Sequence, residues 1–147
     1  LAPEITVNFD LDGTESGLSW PWVKADTAFL VWDGDGLGNV PSGRQLIGSV
    51  TWWLFWEHGY AVLAALDDNR DGWLHGNELH GLAVWQDWNG NGVSDAGEVR
   101  SLATVGIQGL ATTLTGHSNG MPMNAQGVEF TDGRRLPTYD WIVAPVE

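Results

Sequence analysis

Two segments of this chain repeat one arrangement of oxygen-bearing side chains, and the repeat limits the fold more than any other feature. Segments 67–78 and 87–98 each have Asp first, Asn third, Asp or Asn fifth, Gly sixth and Glu twelfth. This is the pattern of EF-hand-type calcium loops. Calcium takes roughly six to eight oxygen ligands, and alternate residues of a tight loop can turn their oxygens toward one ion. The sequence therefore predicts two calcium loops.

The same kinds of ligand are expected in both loops. Positions 1, 3 and 5 supply side-chain oxygens, position 7 its backbone carbonyl, and the glutamate two oxygens. Asn/Gly turns without metal are the alternative, but a turn does not need a glutamate at the same offset twice. We therefore expect two Ca²⁺ ions. The predicted ligands are Asp67, Asn69, Asp71, Trp73 and Glu78 in the first loop, and Asp87, Asn89, Asn91, Val93 and Glu98 in the second.

The spacing of the loops predicts how they are connected. Only residues 79–86 lie between them, so one short helix, from about 77 to 85, would have to leave the first loop and enter the second. The apolar segment 51–66 predicts a long helix before the first loop, and 95–104 predicts a short one after the second. The expected fold is α+β, with a long helix and two EF-hand-type loops sharing a short helix, packed with a small antiparallel sheet.

The remainder of the chain has the texture of strands and turns. Residues 14–27 have the composition of a loop. No linker or low-complexity segment divides the chain, so we predict a single domain over 1–147. Asn119-Gly120 and Asp132-Gly133 are turn signals among the C-terminal strands of region 110–144. Alternating or β-branched runs predict strands at 4–9, 28–32, 110–116, 127–131 and 138–144.

A third acidic segment, 33–45, begins like the other two but lacks essential ligands. Leu37 stands at its fifth position and Arg44 at its twelfth, so the bidentate carboxylate is missing. An ordered turn without metal is favoured here over a third calcium ion. The less favoured alternative is a third ion near Asp10, Asp12, Asp33 and Asp35, with Asp10 and Asp12 compensating for the missing ligands.

Charge and composition exclude several classes of function. The net charge of −13 comes from 19 acidic and 6 basic residues, which disfavours nucleic acid and membrane surfaces as partners. No segment is apolar enough for membrane insertion. Without cysteine there are no disulfides or thiolate chemistry, and the four histidines lack zinc-site spacing. Since no nucleophile motif or paired-carboxylate spacing is present either, we predict that the chain is not an enzyme.

Several phrases of the sequence resemble calcium-binding modules of bacterial RTX-type and related secreted proteins. The resemblance is most specific over 65–79 and 84–99, and it extends to the Leu-Ala-Thr-Val-Gly-Ile run of 102–107. It also includes the phrases Phe-Asp-Leu-Asp-Gly at 9–13 and Phe-Thr-Asp-Gly at 130–133. The resemblance implies an extracytoplasmic or secreted setting. Some relatives cleave themselves at an Asp-Pro bond; this chain has no Asp-Pro dipeptide, so that activity is not carried over.

These observations favour calcium-ion binding that stabilises an extracytoplasmic bacterial module. Metal binding then contributes directly to folding free energy, and the role is scaffolding, not switching. The alternative is a calcium-dependent adhesion or docking module with a protein or glycan partner. A hydrolase is the least favoured reading, because no spacing singles out two of the many carboxylates.

Overall fold

Strands dominate this protein. The structure, a computed structural model, describes residues 2–11, 13–14, 19–22, 27–34, 36, 38–40, 42–47 and 59–140. Within these ranges there are ten strands, one α-helix and one 3₁₀ helix, Gly76–Leu79. The bounds of the helix and strands are β1 Ala2–Val7, β2 Trp20–Trp22, β3 Phe29–Trp32, α1 Gly59–Leu66, β4 Trp73–His75, β5 Leu82–Trp85, β6 Val99–Ser101, β7 Ile107–Ala111, β8 Gly116–Ser118, β9 Met121–Phe130 and β10 Arg135–Tyr139.

The strands form three antiparallel sheets. β1 pairs with β2, and β3, β5 and β6 form a second sheet with β5 in the centre. The third sheet has the order β10-β9-β7-β4, with β8 also paired to β9. Short turns join its consecutive C-terminal strands, as at Asn119-Gly120, where both residues have the positive φ that such a hairpin turn requires.

The central strand β5 separates two hydrophobic cores. Its side chains alternate, as in any strand. Leu82 and Val84 lie in a cluster with α1, β4 and β7, whereas Ala83 and Trp85 lie in a cluster with β2 and β3. All four residues are buried. Because β5 ends at Trp85, two residues before Asp87, its position fixes where the second acidic loop begins.

The prediction of an α+β fold with a long helix is wrong. In the described part of the chain, the α-helix is Gly59–Leu66, and sheets account for most of the remaining regular structure. Residues 51–58, including the Trp-rich half of the predicted helix, lie outside the described residues. Tyr60 and Leu63 of α1 are buried in a cluster with residues of β4, β5 and β7, and Val62 is also buried.

The prediction of a helix shared by the two loops is also wrong. The first loop leads into the 3₁₀ helix, which ends at Leu79, and strand β5 then enters the second loop. The helix predicted over 95–104 is replaced by turns around strand β6. A short apolar run such as Leu-Ala-Val-Trp has no period that separates a buried helix from a strand. Pairing of β5 with both β3 and β6 decides for the strand.

Other local predictions had mixed outcomes. The strand expected at 28–32 is confirmed as β3, and that at 4–9 overlaps β1. The strand expected at 127–131 lies almost wholly within β9, but that at 110–116 is wrong for residues 112–115, which lie between β7 and β8. The strand expected at 138–144 overlaps β10 at its start, and residues 141–144 lie outside the described residues. The segment 14–27 was expected to be a loop, but it contains strand β2, whose Trp20 pairs with Val7 of β1. Proline at its centre argued against a strand, because a strand accepts proline only where its missing N–H is not needed for pairing. None of the described helices is long and apolar enough to cross a membrane.

Candidate metal centre

The first loop, 67–78, is held between α1 and the five-stranded sheet. α1 ends at Leu66, immediately before Asp67, and β4 pairs with β7 so that Leu74 lies opposite Leu110. Leu74 is completely buried. The 3₁₀ helix then carries Glu78 back toward the start of the loop. The loop is therefore anchored at its entrance, middle and exit.

The second loop, 87–98, is held between β5 and β6. Trp85 pairs with Val99 across these strands, so both ends of the loop are fixed by one antiparallel pair. Asp87 and Glu98 thus lie close to the same sheet edge. The sequence pattern is the same in both loops, although different elements support them.

Both loops have the same internal hydrogen bonds. The first aspartate accepts from the N–H of the sixth residue, at 2.9 Å for Gly72 and 2.8 Å for Gly92. The side chains at positions 3 and 5 each accept from the N–H two residues later. The glutamate accepts from the N–H at position 9, at 3.2 Å and 3.0 Å. These bonds fix the orientation of the side chains at positions 1, 3, 5 and 12 in each loop.

Three carboxylates converge in the first loop. One oxygen each of Asp67, Asp71 and Glu78 lies within 4.8 Å of the other two. Asp67 is only 7% exposed, and its Oδ1 is buried with no hydrogen-bond partner among the described residues. A buried anionic oxygen without a donor is costly unless a cation compensates it. The arrangement suits a hard cation with oxygen ligands.

Backbone donors hold the carboxylate of Glu78 in its charged form. The N–H of His75 donates to Oε1 and is the main reason that the pKa of Glu78 is lowered, and the N–H of Asn69 donates to Oε2. Partial removal from water acts in the opposite direction. A metal ligand must be deprotonated, so the lowered pKa favours coordination.

Two carboxylates of the second loop are buried more deeply. Asp87 is 1% exposed and Glu98 is 3% exposed. The indole N–H of Trp22 donates to Asp87 Oδ2 at 2.7 Å, and that of Trp85 donates to Glu98 Oε1 at 3.2 Å. None of the three ion pairs among the described residues involves either carboxylate. In the described part of the chain these two buried carboxylates therefore have neutral donors and no cationic partner, and a bound cation would supply the positive charge.

Asp95, at the ninth position of the second loop, faces the two asparagines. The amide groups of Asn89 and Asn91 donate to its Oδ2 at 2.9 and 2.8 Å, and these bonds, led by that from Asn89, lower the pKa of Asp95. The sequence pattern places Asp95 near an ion through a water molecule. The structure brings it into contact with two predicted ligands.

The segment 33–45 shares the beginning of this geometry. The N–H of Gly38 donates to both carboxylate oxygens of Asp33, at 3.1 and 3.2 Å, which repeats the bond between positions 1 and 6 of the other loops. Its twelfth residue, Arg44, instead donates to the carbonyl of Gly13. Asp12, Asp35 and Leu37 lie outside the described residues. A third ion here remains the less favoured prediction.

Sequence reasoning missed the two indole donors. Trp22 lies 65 residues before Asp87, in a segment expected to be a loop. Trp85 was assigned to the shared helix, where its ring would not have been aimed at Glu98. An aromatic residue two positions before the second loop was visible, but nothing in the sequence reveals a hydrogen bond between such distant segments.

Comparison with known proteins identifies the family. A family model described as the SPM domain matches residues 1–143, almost the whole chain. The chain belongs to the SPM domain family. Iron-regulated protein FrpA of Neisseria meningitidis serogroup C is 43% identical to this SPM domain over 94 residues, which is 60% of the chain. The SPM domain spans about 8% of the length of FrpA, so the relative is a far longer protein.

Neither comparison tests the metal assignment. The name of FrpA refers to regulation by iron, which describes that protein and not the ligand of this SPM domain. The resemblance to RTX-type modules therefore stays a prediction. The case for a metal site rests on the geometry of the two loops.

Proposed function

We propose that this SPM domain binds two calcium ions, one in each acidic loop, and that the ions stabilise its fold. The observation that carries the proposal is the convergence of Asp67, Asp71 and Glu78, with one buried Asp67 oxygen lacking a donor. The predicted first-loop ligands Asn69 and the carbonyl of Trp73 complete an oxygen-only set. Hard oxygen donors in a flexible loop suit Ca²⁺ better than softer transition metals.

The second loop supports the same proposal through burial. Its predicted ligands include Asp87 and Glu98, whose charges are removed from water without a cationic partner among the described residues. Asn89, Asn91 and the carbonyl of Val93 would contribute neutral oxygens. Burial of unpaired anions opposes folding. A dication bound between these carboxylates would make their contribution to the folding free energy favourable.

Calcium would act here as a structural element. Each loop lies at a junction between sheets or between a helix and a sheet, and the buried residues Leu74 and Trp85 link the loops to the two cores. The net charge of −13 would further oppose compaction in the absence of cations. A scaffolding role of this kind fits an extracytoplasmic setting, where calcium is abundant.

Calorimetric titration tests the proposal. The chelator-treated protein is expected to bind two Ca²⁺ per chain. Glu78→Gln and Glu98→Gln are each expected to leave one site, because an amide cannot replace a bidentate carboxylate. Asp132→Asn, in an exposed turn outside both loops, is the matched control and should keep both sites. Binding of calcium that is unchanged in both glutamate variants would rule out these loops.

Calcium-dependent docking is the second candidate. Trp88 and Val93 of the second loop are 50% and 55% exposed, so apolar surface lies beside a predicted calcium ligand set. Trp88→Ala would then reduce binding of a protein partner by the calcium-loaded chain without changing the calcium titration. Partner binding that is equal with and without chelator would contradict this candidate.

A further inference from the structure

The N-terminal part of the chain folds directly onto the second loop. Val7 of β1 lies so close to Gly92 that a Cβ added at the glycine would be 2.8 Å from the Val7 Cβ. The N–H of Val40 donates to Ser94 Oγ at 2.9 Å. Trp22 of β2 donates to Asp87. Three separate N-terminal segments therefore contact the loop, and one of them reaches a predicted ligand.

The Trp22 contact fixes the orientation of the Asp87 carboxylate. Oδ2 accepts two hydrogen bonds, from the indole N–H at 2.7 Å and from the N–H of Gly92 at 2.8 Å. Oδ1 has only the longer contact with the N–H of Asn91, at 3.3 Å. With one oxygen held by two short bonds, the other keeps a single longer contact and is the oxygen left available for a cation.

Trp85 has the corresponding role at the opposite end of the loop. Its indole N–H and the N–H of Asp95 both donate to Oε1 of Glu98. The two indoles pack against each other, with ring centroids 5.6 Å apart, and Trp22 is completely buried, as is Trp85. Their N–H groups therefore have little freedom to move away from the carboxylates.

No indole among the described residues donates to a carboxylate of the first loop. Among the described residues, the donors to Asp67, Asp71 and Glu78 are backbone N–H groups of the loop itself. Replacing a distant tryptophan should therefore affect only one of the two sites. This asymmetry makes the role of the indoles separable from general stability.

We propose that Trp22 and Trp85 are positioning residues of the second calcium site. Resting on the proposed function, the inference is that the N-terminal strands assemble this site by holding Asp87 and Glu98 in their ligating orientations. Groups that orient metal ligands commonly contribute ten- to a hundredfold to metal affinity. The Trp22 bond is the shorter, so its loss should have the larger effect.

The test uses the full chain carrying Glu78→Gln, in which the second loop alone binds calcium. Trp22 is replaced site-specifically by benzothienylalanine, which keeps the ring shape but has sulfur where the indole has N–H. Calcium affinity is expected to fall by about tenfold or more. Trp88, adjacent to Asp87 but exposed and facing Arg100, receives the same replacement as a control and should leave affinity unchanged.

A second variant separates hydrogen bonding from packing. Phe9 contacts both indole rings, with centroids 5.5 and 5.3 Å away, but donates to no carboxylate. Phe9→Leu should lower the melting temperature and change the calcium affinity of the second loop less than the Trp22 replacement does. An equal loss of affinity in both variants would overturn the positioning role.

The outcomes distinguish the inference from the function on which it rests. If the Glu78→Gln parent binds no calcium, the proposed second site itself fails. If the parent binds calcium and the benzothienyl replacement at Trp22 retains full affinity, the second site stands and the positioning role is overturned.

Discussion

Asp67→Asn should have opposite effects on stability with and without calcium. Asparagine retains an oxygen that can accept from Gly72, but it removes one negative charge from a group of three carboxylates within 4.8 Å. The new amide can also donate toward the remaining two. In chelator, the variant is therefore expected to be at least as stable as the wild type, because repulsion is reduced and the buried unpartnered anionic oxygen is gone.

In calcium the order reverses. A site that binds only the folded state stabilises it by about 2.7 kcal/mol when free calcium is a hundred times the dissociation constant. In a domain of about this chain's 147 residues, each kcal/mol changes the melting temperature by about 2–4 °C. The calcium-bound first loop should therefore raise the melting temperature by about 5–11 °C. Asp67→Asn should lose this increment from the first loop and keep that from the second.

Thermal melts followed by circular dichroism, in chelator and in excess calcium, measure both effects. Asp68→Asn removes the same charge from the adjacent, exposed residue and serves as the matched control; it should keep the full calcium increment. If Asp67→Asn keeps the same calcium-dependent increment as Asp68→Asn, the reasoning about the first loop is refuted. A melting temperature of Asp67→Asn in chelator well below that of the wild type would refute the argument from charge repulsion.

Two further variants test the packing around the loops and the helix. In urea unfolding, Gly92→Ala should destabilise the protein more than Gly90→Ala. Both glycines have positive φ, but only at Gly92 would a new Cβ press against Val7, which adds about 1–3 kcal/mol of overpacking. Equal losses of unfolding free energy in the two variants would contradict this contact. Burial raises the pKa of Tyr60 from 10.0, so the wild type should lose stability as the pH rises above about 10, whereas Tyr60→Phe should not. The sign follows because burial favours the neutral phenol in the folded state. Stability that falls equally in both proteins would assign the loss to other groups.

The local geometry of the acidic loops follows closely from the sequence. Glycine at position 6 has positive φ in both, 86° for Gly72 and 72° for Gly92, and this conformation lets its N–H reach the first aspartate. The glutamate at position 12 returns to the N–H at position 9 in both loops. These contacts span few residues, so the offsets of Asp, Gly and Glu are sufficient to predict them.

The connection between the loops did not follow from the sequence. Residues 82–85 are apolar throughout, and a helix and a buried central strand both accept such a run. What decides is that β5 pairs with β3 on one side and β6 on the other, while a separate hydrophobic cluster packs on each of its faces. Partners distant in sequence supplied the information that the segment itself lacked.

The sequence by itself determined which residues offer oxygen at each loop, and hence the expected metal chemistry, because side-chain direction within a short turn depends on nearby residues. Only the tertiary structure decided how deeply each carboxylate is buried. At the twelfth position, Glu78 is only partly buried, whereas Glu98 is 3% exposed and accepts a hydrogen bond from Trp85. Asp87 accepts one from a tryptophan that lies 65 residues away, and no indole donates to its equivalent, Asp67, among the described residues. Burial and long-range hydrogen bonds depend on how the sheets pack, and that packing makes two similar loops physically different sites.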